Sequence, residues 1–160
     1  MRISAGAFAA LAFVLAACSP QAETPPVPTA PYNHPESGLR VVPLTIITPA
    51  GKRHLFRVEV AETSQQQWMG LRFRETMAAD EGMIFPREPA RIASFTMQNT
   101  QVPLDMIFIG EDRVVDSIVA DTTPFEPGPF ESVEPAAAVL ELNAGTAARL
   151  GIVPGARVEW

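Results

Sequence analysis

The stretch Arg53-His54-Leu55-Phe56-Arg57-Val58-Glu59-Val60-Ala61 decides the fold class. In an extended chain Phe56, Val58 and Val60 fall on one side, and Arg57 and Glu59 on the other. This two-residue period marks a half-buried strand of an antiparallel sheet. Upstream, Leu39 to Ile47 is equally strand-like, and Thr48-Pro49-Ala50-Gly51-Lys52 between the two reads as a hairpin loop. Downstream, Met83-Ile84-Phe85 and Ile92 to Met97 read as short strands, with Pro86 and Pro89 in a loop between them. Leu104 to Ile109 is strongly apolar, Glu111-Asp112 makes a turn, and Val114 to Ala120 returns as a strand. After a proline-rich loop from Thr122 to Pro135, Ala138 to Leu142 is another strand. Ile152-Val153 and Arg157 to Trp160 close the chain as strands around Pro154-Gly155.

Helices are few. Thr63 with Gln66 three residues later forms a capping box, and Trp68, Met69 and Gly70 carry that helix to its end. At two turns it has to dock on the sheet to be stable. A second short helix covers Thr146 to Leu150 and stops at Gly151. Many short strands with two small helices predict a mainly β chain: a single antiparallel β-sandwich or barrel-like domain.

The N-terminus speaks to location. Arg2 precedes Ile3 to Ala17, an uncharged apolar run of 15 residues. As a helix it would cover roughly 22 Å, short of the ~30 Å bilayer core but suited to a signal peptide. Leu15-Ala16-Ala17-Cys18 resembles the lipobox of bacterial lipoproteins. That resemblance implies cleavage before Cys18, lipidation of its thiol, and the membrane as a partner. Ser19, where an aspartate would favour inner-membrane retention, implies the outer membrane if the host is Gram-negative. Ser19 to Pro43 is rich in proline and poor in large apolar residues, which describes an extended tether. The expected organisation is a signal peptide over residues 1–17, lipidated Cys18 and the tether over 18–38, and the β domain over 39–160. The expected location is the periplasmic face of the cell envelope, by export and lipid anchoring.

Composition narrows the partners. The chain carries 12 basic and 18 acidic residues, a formal charge of −6, and Lys52 is its one lysine. Such a chain repels nucleic acid and shows no basic stripe to bind it. Cys18 is the only cysteine, so internal disulfides and cysteine metal sites are excluded. No motif calls for a cofactor or a metal.

Val58-Glu59-Val60-Ala61-Glu62-Thr63, Gly70-Leu71-Arg72-Phe73-Arg74, Glu81-Gly82-Met83-Ile84-Phe85, Met97-Gln98-Asn99-Thr100 and Val102-Pro103-Leu104-Asp105 occur in that order. Val139-Leu140-Glu141-Leu142, Gly145 and Gly151-Ile152-Val153-Pro154-Gly155 follow. The ordered set, from about Leu44 to Val158, resembles the domain-of-unknown-function 192 family. The resemblance implies a mainly β fold, often secreted or lipid-anchored, and no particular reaction. Against the family pattern, Glu-Arg becomes Gln66-Gln67, Gly-Leu-Met becomes Gly70-Leu71-Arg72, and Phe-Trp-Met-Lys-Asn-Thr becomes Phe95-Thr96-Met97-Gln98-Asn99-Thr100.

Candidate site residues are Asp105, Asn99 and Arg74. Asp105 enters an apolar run, where a carboxylate must be paired, hydrogen-bonded or protonated. It would serve as an acid/base or a ligand anchor beside Asn99 and Arg74, or as a structural acceptor for backbone amides. Arg72, Arg74, Arg87 and Arg91 could form an anion site, although Glu75, Asp80, Glu81 and Glu88 are interleaved and surface pairing is the plainer reading. Met69, Met77, Met83, Met97 and Met106 lie among apolar neighbours and suit core packing better than soft-metal binding. No nucleophile elbow, P-loop or histidine-based triad is present. The expected role is non-catalytic binding or assembly in the envelope, with an envelope component or a small anion as partner. The alternative is a carboxylate-based hydrolase pairing Asp105 with Glu59 or Glu141.

Overall fold

The computed structural model describes residues 31–160; the signal-peptide stretch, Cys18 and most of the tether lie outside them. Among the described residues the order is β1 Tyr32–Asn33, β2 Arg40–Ile47, β3 Arg53–Val60, α1 Ser64–Met69, β4 Glu81–Arg91, β5 Ser94–Phe95, β6 Leu104–Ile109, β7 Val115–Thr122, β8 Phe130–Glu131, β9 Ala136–Asn143, α2 Thr146–Leu150 and β10 Arg157–Glu159. An eight-stranded sheet runs β1-β2-β3-β4-β9-β6-β7, with β10 added to β2, and β5-β8 is a separate ribbon.

The domain is mainly β, as expected, but its sheet is mixed. β3 and β4 run parallel, from Arg57 opposite Glu81 to Val60 opposite Ile84. A parallel neighbour requires a crossover, and the segment holding α1 supplies it. A bridge between Val114 and Arg157 ties the approach to β7 to β10, which curls the sheet toward itself. The strand path stays open, so the fold is sandwich-like rather than a closed barrel.

Both faces of the sheet are covered. Leu44, Ile46, Phe56, Val58, Ile107 and Leu140 belong to one core. Met83, Phe85, Met97, Met106, Phe108 and Val139 belong to the other. The central strands β4, β9 and β6 contribute to both, and every residue of β6 is buried. A strand covered on both faces reads as a continuous apolar run, which is how Leu104 to Ile109 reads. Each such side chain contributes about 1.5–3 kcal/mol through burial.

Three local expectations change. Pro86 and Pro89 do not end a strand: β4 runs through both, with a register shift between Pro86 and Arg91. Proline is tolerated in a strand where the ladder is already interrupted. The strand expected over Ile92 to Met97 shrinks to β5, which pairs with β8, inside the stretch expected to be loop. Ile152-Val153 forms no strand. In addition, Tyr32 pairs with Val41, so the end of the tether already belongs to the sheet.

Candidate functional site

Asp105 is fully buried and fully engaged. Its carboxylate accepts the amides of Asp121 (3.0 Å), Gly145 (3.1 Å) and Ala147 (2.8 Å). Gly145 and Ala147 open α2, whose own N-cap, Gly145, offers no side chain. Asp105 therefore caps α2 from a neighbouring strand, with its negative charge at the favourable end of the helix. It sits opposite Leu142 on β9, whereas Glu141 sits opposite Met106. Successive residues of a strand face opposite ways, so Asp105 and Glu141 lie on different faces of the sheet. Glu59, opposite Met83, shares the face of Glu141. Asp105 can thus form a carboxylate pair with neither of the residues proposed as its partner.

Arg74 is also engaged. It is 8% exposed, and its guanidinium meets Glu59 at 2.9 Å and Glu36 at 3.3 Å. His34 approaches it at 3.5 Å, and Ser37 bonds Glu59. The cluster fastens the end of the tether to β3. Asn99 has φ +58°, a left-handed turn that asparagine tolerates better than most residues. Its carbonyl accepts the Phe73 amide at 2.7 Å. The segments of Arg74 and Asn99 are therefore brought together, while Asp105 stands apart at α2.

A different constellation lies beside them. Between α1 with the turn after it and β5 with the turn after that, a cleft of about 350 Å³ opens over the second core. Its floor includes Glu141, flanked by Met83 and Met106. Glu141 is 4% exposed, and burial alone pushes its pKa up to about 8. A hydrogen bond to the carboxylate or a nearby cation would have lowered it. Burial therefore favours the neutral form of this carboxyl at neutral pH.

Two cations line the same cleft. The Arg87 guanidinium stands 5.3 Å from the Phe95 ring centre, and Phe95 packs edge-on against Phe85 at 5.1 Å. Its Nε is buried without a partner, and burial with repulsion from Arg91 lowers its pKa. Arg72 lies over Trp68 and donates to the carbonyls of Trp68 (2.8 Å) and Gln98 (2.7 Å). The ion pairs among the described residues engage Arg40, Arg53, Arg57 and Arg74, not Arg72 or Arg87. The interleaved acids Asp80 and Glu81 turn to Arg57 instead.

The wall of the cleft is held by polar contacts. No residue of α1 is buried, and Trp68 is 65% exposed. The Gln67 amide docks the helix, donating to the carbonyls of Ala61 (3.2 Å) and Pro86 (2.7 Å). Gln67, Arg72, Thr96 and Gln98, four positions that depart from the family pattern, line this cleft; Gln66 completes the capping box. A larger hollow of about 550 Å³ on the tether side of α1 is lined by Arg74, whose charge is already matched. Sequence reasoning noticed Glu141 only as a partner for Asp105, and Arg87 only as one of four arginines.

The chain matches the model of DUF192, "Uncharacterized ACR", over residues 45–160. It is 51% identical to a protein of unknown function from Novosphingobium aromaticivorans DSM 12444, whose crystal structure superposes with a TM-score of 0.79 over 82% of this chain and 93% of that one. It is 42% identical to a protein from Sinorhizobium meliloti 1021 described as "a putative transcription regulator", with a TM-score of 0.72 over 73% of this chain and 91% of that one. No curated protein matches it. The chain belongs to the domain-of-unknown-function 192 family.

Proposed function

We propose that this chain is an envelope lipoprotein, anchored through Cys18, whose β domain binds a small organic anion without catalysis in the cleft between α1 and β5. The observation that carries the reading is the Arg87 guanidinium: part-buried, stacked on Phe95 and matched by no carboxylate. Its Nε is enclosed without a partner, which is costly, and an incoming carboxylate relieves that cost. Arg72 adds a second fork, and Phe95 and Trp68 offer apolar surface to the body of the ligand. Charge-assisted bonds of this kind contribute about 1.5–3 kcal/mol each. The volume suits a ligand the size of one substituted ring. A formal charge of −6 fits poorly with nucleic-acid binding.

Calorimetric titration of the full chain with benzoate tests the site. Binding is expected in the wild type and at least tenfold weaker in Arg87→Ala. No binding to the wild type, or equal affinity in the variant, contradicts the assignment. The anchor has its own measurement: Cys18→Ala should move the protein from the membrane to the soluble periplasmic fraction, and unchanged membrane association counts against lipidation.

A further inference from the structure

Three acids are buried in the sheet, and two of them are satisfied. Asp105 accepts three backbone amides, and Glu59 faces Arg74. Glu141 is as buried as they are, at 4% exposed, yet burial is the one influence on its carboxyl and it lies on the floor of an open cleft. An apolar residue would pack between Met83 and Met106 without the desolvation cost that a carboxyl carries there. We infer that Glu141 reads the far end of the ligand: the site takes a small carboxylate whose opposite end carries a carbonyl, which the Glu141 carboxyl hydrogen-bonds as a donor. This inference rests on the cleft being an anion site.

The charges around Glu141 select that chemistry over its rival. Arg87 reaches the cleft from β4 and Arg72 from the turn after α1; the flanking strand neighbours Met83 and Met106 are uncharged. A guanidinium is ordinarily cationic at neutral pH. An ammonium ligand would meet two cations and a neutral acid, whereas an acid ligand meets two cations and a hydrogen-bond donor. Burial supplies the donor by keeping the proton on Glu141 up to about pH 8. Once Glu141 ionises, the donor is lost and a like charge faces the ligand.

The test compares benzoate with 4-acetylbenzoate, which adds a neutral carbonyl opposite the acid group. Both are titrated calorimetrically at pH 7 against the full chain in mild detergent. The wild type should prefer 4-acetylbenzoate at least tenfold. Glu141→Gln, which keeps an N–H donor, should retain the preference, and Glu141→Leu should lose it while still binding benzoate. Above about pH 8 wild-type affinity for 4-acetylbenzoate should fall by up to about tenfold per pH unit, with no fall in Glu141→Gln. If benzoate binds through Arg87 but the preference is absent, or survives in Glu141→Leu, the role of Glu141 is overturned and the anion site stands. Benzylamine binding more tightly than either acid would overturn both, as would no binding of either acid.

Discussion

At the residue scale, Asp105 and Glu141 look alike in sequence, each an acid between apolar neighbours of a strand. Their physics differs because the groups that meet them come from elsewhere. The amides that satisfy Asp105 belong to Asp121, Gly145 and Ala147, and no local pattern announces that they converge. The rule that a buried acid needs a partner was legible; which acid lacked one was not. Asp105→Ala would leave three amides without an acceptor, and should cost about 3 kcal/mol or more in urea unfolding. A cost below about 1 kcal/mol would contradict its role as the cap of α2. Arg74→Ala leaves Glu59 buried without its cation and should cost about 3–5 kcal/mol by the same measurement.

Glu141 makes a prediction with the opposite sense. Its pKa rises from 4.5 to about 8 on folding, so between those values the folded chain holds a proton that the unfolded chain has lost. Stability therefore falls as pH rises through this window, by on the order of 1 kcal/mol per pH unit, and levels off above it. Below about pH 4.5 the group carries no such cost. Glu141→Gln should become progressively more stable than wild type from pH 5 to pH 8, measured by urea unfolding at each pH. A constant difference across that range would mean that Glu141 is not buried in the neutral form.

At the scale of elements, strands with clear periodicity were legible. β2, β3 and β6 stand close to where alternation or a continuous apolar run places them. β4 was not, because Pro86 and Pro89 signal a break and only the register shift against β9 shows how the strand passes them. The parallel β3–β4 pairing was equally invisible, since alternation reports which side is buried and not which way the neighbour runs. α1 is legible from its capping box, and it docks as its shortness requires, by a contact that no local pattern announces. It leans on the Gln67 amide rather than on an apolar face. A helix without buried residues belongs to the low-stability part of a fold, which suits the wall of a binding cleft. Gly82 shows the opposite kind of constraint. A Cβ at Gly82 would stand 2.6 Å from the Glu141 carbonyl oxygen, so Gly82→Ala must push β4 from β9 beneath the cleft. A loss of about 1–3 kcal/mol is expected in thermal unfolding.

At the scale of the whole molecule, the double-faced sheet explains why a cleft can exist here. Met83, Phe85 and Phe108 build the second core beneath it, while the first core holds β2, β3 and β10 on the other side. Glu141 can therefore be buried from below and reached from above. His34 and Glu36 join the segment before β2 to Arg74, on the side of α1 away from Arg87. The most direct measurement is a nuclear magnetic resonance titration of the isotope-labelled full chain with 4-acetylbenzoate. Amide shifts should cluster at Gly70 to Arg72, at Ser94 to Gln98 and at Glu141. Shifts confined to the Arg74 hollow or to α2, or no shifts at all, would contradict the account.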